Sequence, residues 1–206
     1  MQTMHHTQTL SNHDLLSVIV GKAAAKQLCR RPLAEIFGLT KPKAQALPLG
    51  IEEEPAAYGA PITLQAAREL YTRALAEQMR QAPIFGNPAA VKEYLIGKLA
   101  GLDSEVFAVL FLDQRHALIA YEELFQGTID SCSIYPREIA KRALEHNAAA
   151  VILAHNHPSG NPEPSKADET ITRKVKDALL MLDIRTLDHI VIGANQSCSM
   201  AERGLV

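Results

Sequence analysis

Apolar residues change their spacing along the chain, from a helical repeat near the N-terminus to strand-like runs further on. They recur every three or four positions over residues 15–28, which predicts one short amphipathic helix. They do so again over residues 64–75, where Thr63 would be the N-cap of a second helix. Between these segments, residues 39–62 combine prolines and glycines with the acidic run Glu52–Glu54. This stretch is therefore predicted to be a loop or linker.

Beyond residue 83 the apolar residues form runs of strand length. Val106–Leu112 and Ala148–Ala154 are continuous apolar runs typical of buried strands, and His189–Gly193 closes the pattern as a last strand. Two further strands are predicted over 117–121 and 128–134, separated at Gly127. Helices are predicted to begin at Pro88 and Pro136 and to follow the loop after the second buried run.

These elements mix without a strict alternation of strand and helix. That mixture predicts the α+β class, an α/β/α sandwich in which helices flank a mixed β-sheet. We assign residues 1–82 to a small helical N-terminal region and residues 83–206 to the domain that holds the sheet.

Composition and charge indicate a soluble cytoplasmic protein. The 206 residues carry a formal net charge of -2, which exerts no global attraction on nucleic acid or on an anionic membrane. Three scattered cysteines without a paired motif suit a reducing compartment. No apolar run approaches the roughly 18 residues of a membrane span, and the N-terminus lacks the pattern of a secretory signal.

The chemistry is concentrated in the segment His155–Asp168, directly after a predicted buried strand. His155, His157 and Asp168 supply two imidazoles and a carboxylate, the ligand count of a catalytic zinc site with one position open. The pattern Ser165-x-x-Asp168 is also a capping box, in which both residues serve the start of a helix. Two histidines on alternate positions, stiffening prolines and a carboxylate within 14 residues favour a metal site, and hence a metal-dependent hydrolase.

The same segment resembles a known motif. His155-x-His157-Pro158, six residues, Ser165, two residues and Asp168 match the JAMM (MPN+) metalloprotease motif at every spacing. Residues 85–206 further resemble the RadC family. The matching segments are Phe107–Asp113, Glu123–Thr128, Tyr135–Glu138, His155–Ser165, Asp188-His189 and Ala201–Leu205. The resemblance implies a mixed sheet of the MPN type, which is cytidine-deaminase-like. It also implies a zinc metallopeptidase or isopeptidase that cleaves an amide in a protein or peptide.

The resemblance also implies roles for individual residues. Zn2+ would be bound by His155, His157 and Asp168, while Glu105 would act as general base and then acid. Glu122 and Glu123 are rivals for that role, because they too are expected at a strand end. Ser165 would hydrogen-bond the oxyanion of the tetrahedral intermediate, or would cap the following helix instead.

Other features bear on alternative functions. RadC proteins usually carry a helix-hairpin-helix region that suits DNA, and Gly38–Ala46 keeps only a trace of it before the acidic run. A DNA repair or recombination accessory protein, which acts on DNA or a DNA-bound partner, is therefore the alternative. A zinc deaminase is excluded because the chain has no CxxC pair. Arg137 and Glu138 are expected to form a buried pair beneath the site, and His189 to pack in the core.

Overall fold

The computed structural model describes residues 10–39, 61–127 and 134–206. The chain divides into two compact units, residues 1–70 and 71–206, and the division falls inside a helix. The domain boundary predicted after residue 82 stays a prediction. In the described part of the chain, no helix is both long enough and apolar enough to cross a membrane.

The first unit is helical. Gly21, with φ at 84°, separates its first two helices, so the single helix predicted over 15–28 is wrong. The fourth helix begins at Ile62, and the carbonyl of Pro61 accepts its first backbone hydrogen bonds. Thr63 therefore lies inside the helix and is not its N-cap. A small core packs within this unit, and its buried members are Leu16, Ala25, Leu28, Ile36 and Leu64. The helices are α1 (Asn12–Val20), α2 (Lys22–Leu28), α3 (Leu33–Ile36) and α4 (Ile62–Gln81), whose last turns belong to the second unit.

Two predicted segments fall largely outside the described residues. Residues 40–60 include most of the predicted linker and of the Gly38–Ala46 stretch. The DNA-associated role, which depends on that stretch, stays a prediction. The strand predicted over 128–134 lies outside as well, apart from Ile134, which is not in a strand.

The second unit is built on a five-stranded mixed sheet with the order β2-β1-β3-β4-β5. β1 pairs antiparallel with both β2 and β3, β3 pairs parallel with β4, and β4 pairs antiparallel with β5. The strands are β1 (Glu105–Leu112), β2 (Leu118–Gly127), β3 (Ala150–His157), β4 (Arg185–Gly193) and β5 (Gln196–Ser199). The helices are α5 (Pro88–Leu99), α6 (Pro136–Glu145) and α7 (Lys166–Leu180).

The strands confirm the two buried runs but differ from the predictions at three points. The strand predicted over 117–121 is longer than expected, because β2 reaches Gly127 and pairs with β1 up to that residue. β3 extends to His157, so both histidines belong to the strand itself. His189–Gly193 is not the last strand, since the short β5 follows it and pairs back on β4. The polar sequence of β5, Gln-Ser-Cys-Ser, gave no apolar signal to find.

Helices cover the sheet in two layers. α5 contacts β3, β4 and β5, whereas α6 and α7 contact each other and α7 contacts β4. The core under α6 and α7 joins alternate residues of the central strands, among them Phe107, Val109 and Leu153, to Ile139 and Val175 of the two helices. The predicted sandwich of helices around a mixed sheet is thereby confirmed.

The pair predicted between Arg137 and Glu138 is not buried. Their charged atoms lie 3.6 Å apart, but the side chains are 86% and 47% exposed at the start of α6. The helix begins at Pro136 as predicted, and it turns these two residues toward solvent.

A polar cluster ties the middle of β2 to α6. Glu122 accepts a hydrogen bond from Arg142 Nε at 2.6 Å, and its Oε1 lies 2.7 Å from His146 Nε2. The hydrogen bonds from Arg142, and then that with His146, lower the pKa of Glu122 to about 2. The carboxylate is therefore stabilised in the folded state.

We predict that Glu122→Gln lowers the free energy of unfolding at neutral pH by about 1 kcal/mol, since the pair is partly exposed to solvent. Because the pKa of Glu122 is lower in the folded than in the unfolded state, its carboxylate stabilises the fold at pH values above the unfolded-state pKa. This contribution is lost as the pH falls towards about 2. The difference between variant and wild type should thus shrink over that range in denaturant unfolding. Glu123→Gln is the matched control, because the adjacent Glu123 lies on the opposite face of β2, where it accepts a hydrogen bond from the Tyr121 hydroxyl. A constant difference at all pH values would contradict the role of Glu122.

Candidate metal centre

His155, His157 and Asp168 converge where β3 ends and α7 begins. The two histidines project from the same face of β3, because they are two residues apart in one strand. Their Nε2 atoms lie 2.9 Å apart. The Asp168 carboxylate lies 3.3 Å from His155 Nε2 through Oδ1 and 3.5 Å from His157 Nε2 through Oδ2. Within the described residues these three form the one group whose ligand atoms could hold a metal ion.

The capping box of α7 orients the Asp168 carboxylate. Ser165 donates to Oδ2 from both its backbone N–H and its hydroxyl, each at 2.7 Å, and the Ser165 hydroxyl oxygen accepts from the Asp168 N–H at 3.2 Å. Helix capping and metal ligation are therefore compatible in this fold. The hydroxyl proton of Ser165 is directed at Asp168, so the helix-cap role is the one the structure contains.

The charges of the centre are coupled. Burial opposes ionisation of Asp168, yet the hydrogen bonds with His155 and His157 hold the pKa of its carboxyl far below the usual range. The same hydrogen bond with Asp168 raises the pKa of His157, against the effect of burial, and the Glu105 carboxylate adds to the rise. Negative charge is thus concentrated around the two imidazoles, as a site for a cation requires.

A short loop after β3 orients His157. Nδ1 of His157 lies 2.8 Å from the Asn161 carbonyl, which only accepts, so Nδ1 carries a proton, and in the neutral ring Nε2 presents a lone pair to the centre. The loop can come this close because β4 has Gly193 opposite His157. A Cβ at position 193 would lie less than 3.0 Å from backbone atoms of residues 160–162.

The donor set fits a divalent cation of the zinc type. Two imidazole nitrogens and a carboxylate match the hard-to-borderline ligands of zinc, and three protein ligands leave a fourth position open. The Nε2 atoms of His155 and His157 lie 2.9 Å apart, and the Asp168 carboxylate lies 3.3–3.5 Å from them, so the three donor groups are close enough to share one cation. The residues present therefore suit the metal that the motif implies.

Glu105 lies at the edge of this centre. In the antiparallel register Phe107 faces His155, so two residues further along Glu105 comes opposite His157 on the same face. Its carboxylate is near enough to raise the pKa of His157. Glu105 is partly buried as the first residue of β1.

The rival carboxylates lie elsewhere. Glu122 and Glu123 are mid-strand residues of β2, opposite Val109 and Ala108, so the expectation that they sit at a strand end is wrong. Glu122 contacts Arg142 of α6 and His146, the residue that follows this helix. Of the three candidates, the structure brings Glu105 to the histidines.

Asn156 holds the start of β1, a role without a signal of its own in the sequence. Its side-chain oxygen accepts from the Val106 N–H at 2.8 Å, and its amide nitrogen donates to the Ser104 carbonyl at 3.0 Å. These bonds pin the backbone on both sides of Glu105. In the sequence, only the position of Asn156 between two histidines on alternate positions indicates that its side chain points to the opposite face of the strand.

His189 lies behind the centre. It is fully buried, as predicted, and its Nε2 lies 2.8 Å from His155 Nδ1. Burial, and then the neighbouring His155, lower the pKa of His189 well below its ordinary value. His189 is therefore a neutral ring that contacts a candidate ligand from the side away from the metal position.

We predict that Gly193→Ala disturbs the metal centre through the loop. The added methyl group must displace backbone, so the bond from His157 to Asn161 is weakened, and affinity for Zn2+ should fall about 10–100-fold. Overpacking should also lower the free energy of unfolding by about 1–3 kcal/mol. Zinc titration and thermal unfolding measure both. Gly86→Ala is the control, because a Cβ there meets nothing within 4 Å; equal zinc affinity in both variants would contradict the role of Gly193.

Comparison with known proteins agrees with this geometry. The model of the RadC-like JAB domain matches residues 85–205, which include the sheet and every candidate site residue. A UPF0758 protein of Leptothrix cholodnii is 58% identical over 143 residues, 69% of this chain and 64% of the relative, so the aligned segment spans a little under two thirds of that protein. UPF0758 proteins of Nitrosococcus oceani and Nitrosomonas eutropha are 45% and 47% identical over 203 residues, 96% of this chain and 90% of each relative. The chain belongs to the RadC-like JAB domain family.

Proposed function

We propose that this protein is a zinc-dependent hydrolase of the metallopeptidase or isopeptidase kind, which cleaves an amide bond in a protein or peptide. The observation that carries the proposal is the placement of Glu105 beside a group of two imidazoles and one carboxylate. A three-ligand set with an adjacent carboxylate is the arrangement that water activation needs.

The metal would be held by His155, His157 and Asp168. Zinc bound there supplies a Lewis acid and a water molecule whose pKa is lowered to roughly 7. Neighbouring groups orient the three proposed ligands. The capping box orients the carboxylate of Asp168, the Asn161 carbonyl orients His157, and β3 positions His155.

Glu105 would move the protons. Its carboxylate takes a proton from the attacking water and returns it to the nitrogen of the leaving amine, as general base and then acid. Asn156 keeps the backbone around Glu105 in place during both transfers. Rigid attachment matters because a general base acts only within hydrogen-bond reach of the proton that it removes.

Ser165 would serve as oxyanion donor only by leaving its present partner. Its hydroxyl now donates to Asp168 Oδ2. When substrate is bound, rotation of this hydroxyl toward the substrate oxygen would leave the backbone N–H of Ser165 on the carboxylate, so the cap would be kept in part. The oxyanion role is therefore a proposal that the local geometry permits.

Each of the three proposed ligands should be required for zinc binding. Purified wild-type protein should contain zinc, whereas His155→Ala and Asp168→Ala should lose it, because each removes one of three ligands. Elemental analysis after dialysis measures the content. His13→Ala is the control, since His13 is a solvent-exposed histidine of α1. Equal zinc in all four proteins would refute the site.

Zinc binding and amide hydrolysis should respond differently to the loss of Glu105. Glu105→Gln should keep zinc, because Glu105 is not a ligand, but should lower amide hydrolysis about 10²–10⁴-fold. The rate can be measured as the release of new amino groups from a peptide library. Glu123→Gln should retain the wild-type rate. Full activity in Glu105→Gln would exclude this residue as the base.

A further inference from the structure

A row of buried polar side chains extends from His155 away from the metal position. We call His155, His189 and Thr172 the polar row; each is at most 1% exposed. His155 Nδ1 lies 2.8 Å from His189 Nε2, His189 Nδ1 lies 2.6 Å from Thr172 Oγ1, and Thr172 Oγ1 lies 2.5 Å from the Asp168 carbonyl oxygen. Phe107 packs on both imidazoles and shields them from solvent.

The direction of the hydrogen bonds follows from the last contact. The Asp168 carbonyl has no proton to give, so the proton on this short contact is that of the Thr172 hydroxyl. The sulfur of Met200, at 3.8 Å, is the weaker acceptor for the same proton. Because a hydroxyl has only one proton, Thr172 Oγ1 must accept from His189, and His189 Nδ1 carries a hydrogen.

The protonation of His189 determines which ring nitrogen of His155 carries a proton. The hydrogen-bond partners of the fully buried His189 are a hydroxyl and another imidazole, so the ring is neutral and its Nε2 has no proton. Nε2 therefore accepts, and His155 Nδ1 donates to it. His155 Nε2 is left on the side of His157 and Asp168, and in the neutral ring it presents a lone pair there.

We propose that Thr172 and His189 are positioning residues, which fix His155 as its Nδ1–H tautomer and tie its ring to the helix that carries Asp168. The row begins at one candidate ligand and ends on the backbone of another, so the orientation of His155 is coupled to the first turns of α7. The opposite tautomer would point a hydrogen from Nε2 into the metal position. The consequence for zinc rests on the proposed function, whereas the protonation pattern does not.

The tautomers can be observed directly. In the full chain labelled with 15N at histidine, long-range proton–nitrogen spectra at neutral pH distinguish protonated from unprotonated ring nitrogens. We expect a protonated Nδ1 on both His155 and His189 and an unprotonated Nε2 on His189 in metal-free protein, and the same pattern for His189 after zinc is added. An unprotonated Nδ1 on either ring, or a proton on Nε2 of His189, would overturn the proposal.

A set of threonine variants tests the coupling. Thr172→Val removes the hydroxyl at nearly constant volume, and the Kd for zinc should rise about 10–100-fold. Thr172→Ser keeps the hydroxyl and should restore wild-type affinity and the wild-type tautomers. Thr170→Val is the matched control, because the Thr170 hydroxyl also bonds the carbonyl four residues back, at 2.8 Å, but is exposed. Thermal unfolding of each variant accompanies the titrations.

The outcomes separate this inference from the proposed function. Wild-type zinc affinity in a folded Thr172→Val protein would refute the coupling. Wild-type protein that shows the assigned tautomers but binds no zinc would refute the proposed function and still support the row. If Thr172→Val does not fold, the wild-type spectra and Thr172→Ser decide.

Discussion

The antiparallel pairing of β1 with β3 determines which side chains meet at the candidate metal centre. Phe107 faces His155 in this register, and Glu105 consequently comes opposite His157. A shift by one residue would turn the whole set to the opposite face, where α5 packs on the sheet. The apolar contacts of both strands in the core oppose such a shift, so the geometry of the centre is inherited from the packing of the sheet.

Each of the three candidate ligands is oriented by a different kind of neighbouring group. A capping box orients Asp168, a loop carbonyl orients His157 and a buried imidazole contacts His155. These supports come from α7, from the loop after β3 and from β4 respectively. Outer contacts of this kind fix ring orientation and tautomer at metal sites, and they take much of the conformational freedom from the ligands before any metal binds.

Much of this arrangement could be predicted from the sequence. Continuous apolar runs indicated β1 and β3, and the spacing of His155, His157 and Asp168 indicated a metal site, because both signals are local. The assignment of Glu105 needed the resemblance to a family, since the residue is 50 positions before His155 and only strand pairing joins them. Asn156, Gly193 and Thr172 could not be found, because their roles depend on contacts with backbone or side chains distant in sequence. β5 was missed because it is short and polar, and pairing with β4 defines it.

Because Asn156 lies between His155 and His157, the end of β3 makes different contacts on its two faces. The histidines serve the metal position, while the amide between them fastens the neighbouring strand at Ser104 and Val106. In the proposed hydrolase, retention of the metal and correct placement of the general base therefore depend on different contacts. A brief opening of the first residues of β1 would carry Glu105 away and leave all three ligands in place. Under the proposed function, such an opening would leave zinc bound but amide hydrolysis stopped, and the turnover rate would depend on the fraction of time that this strand end is closed.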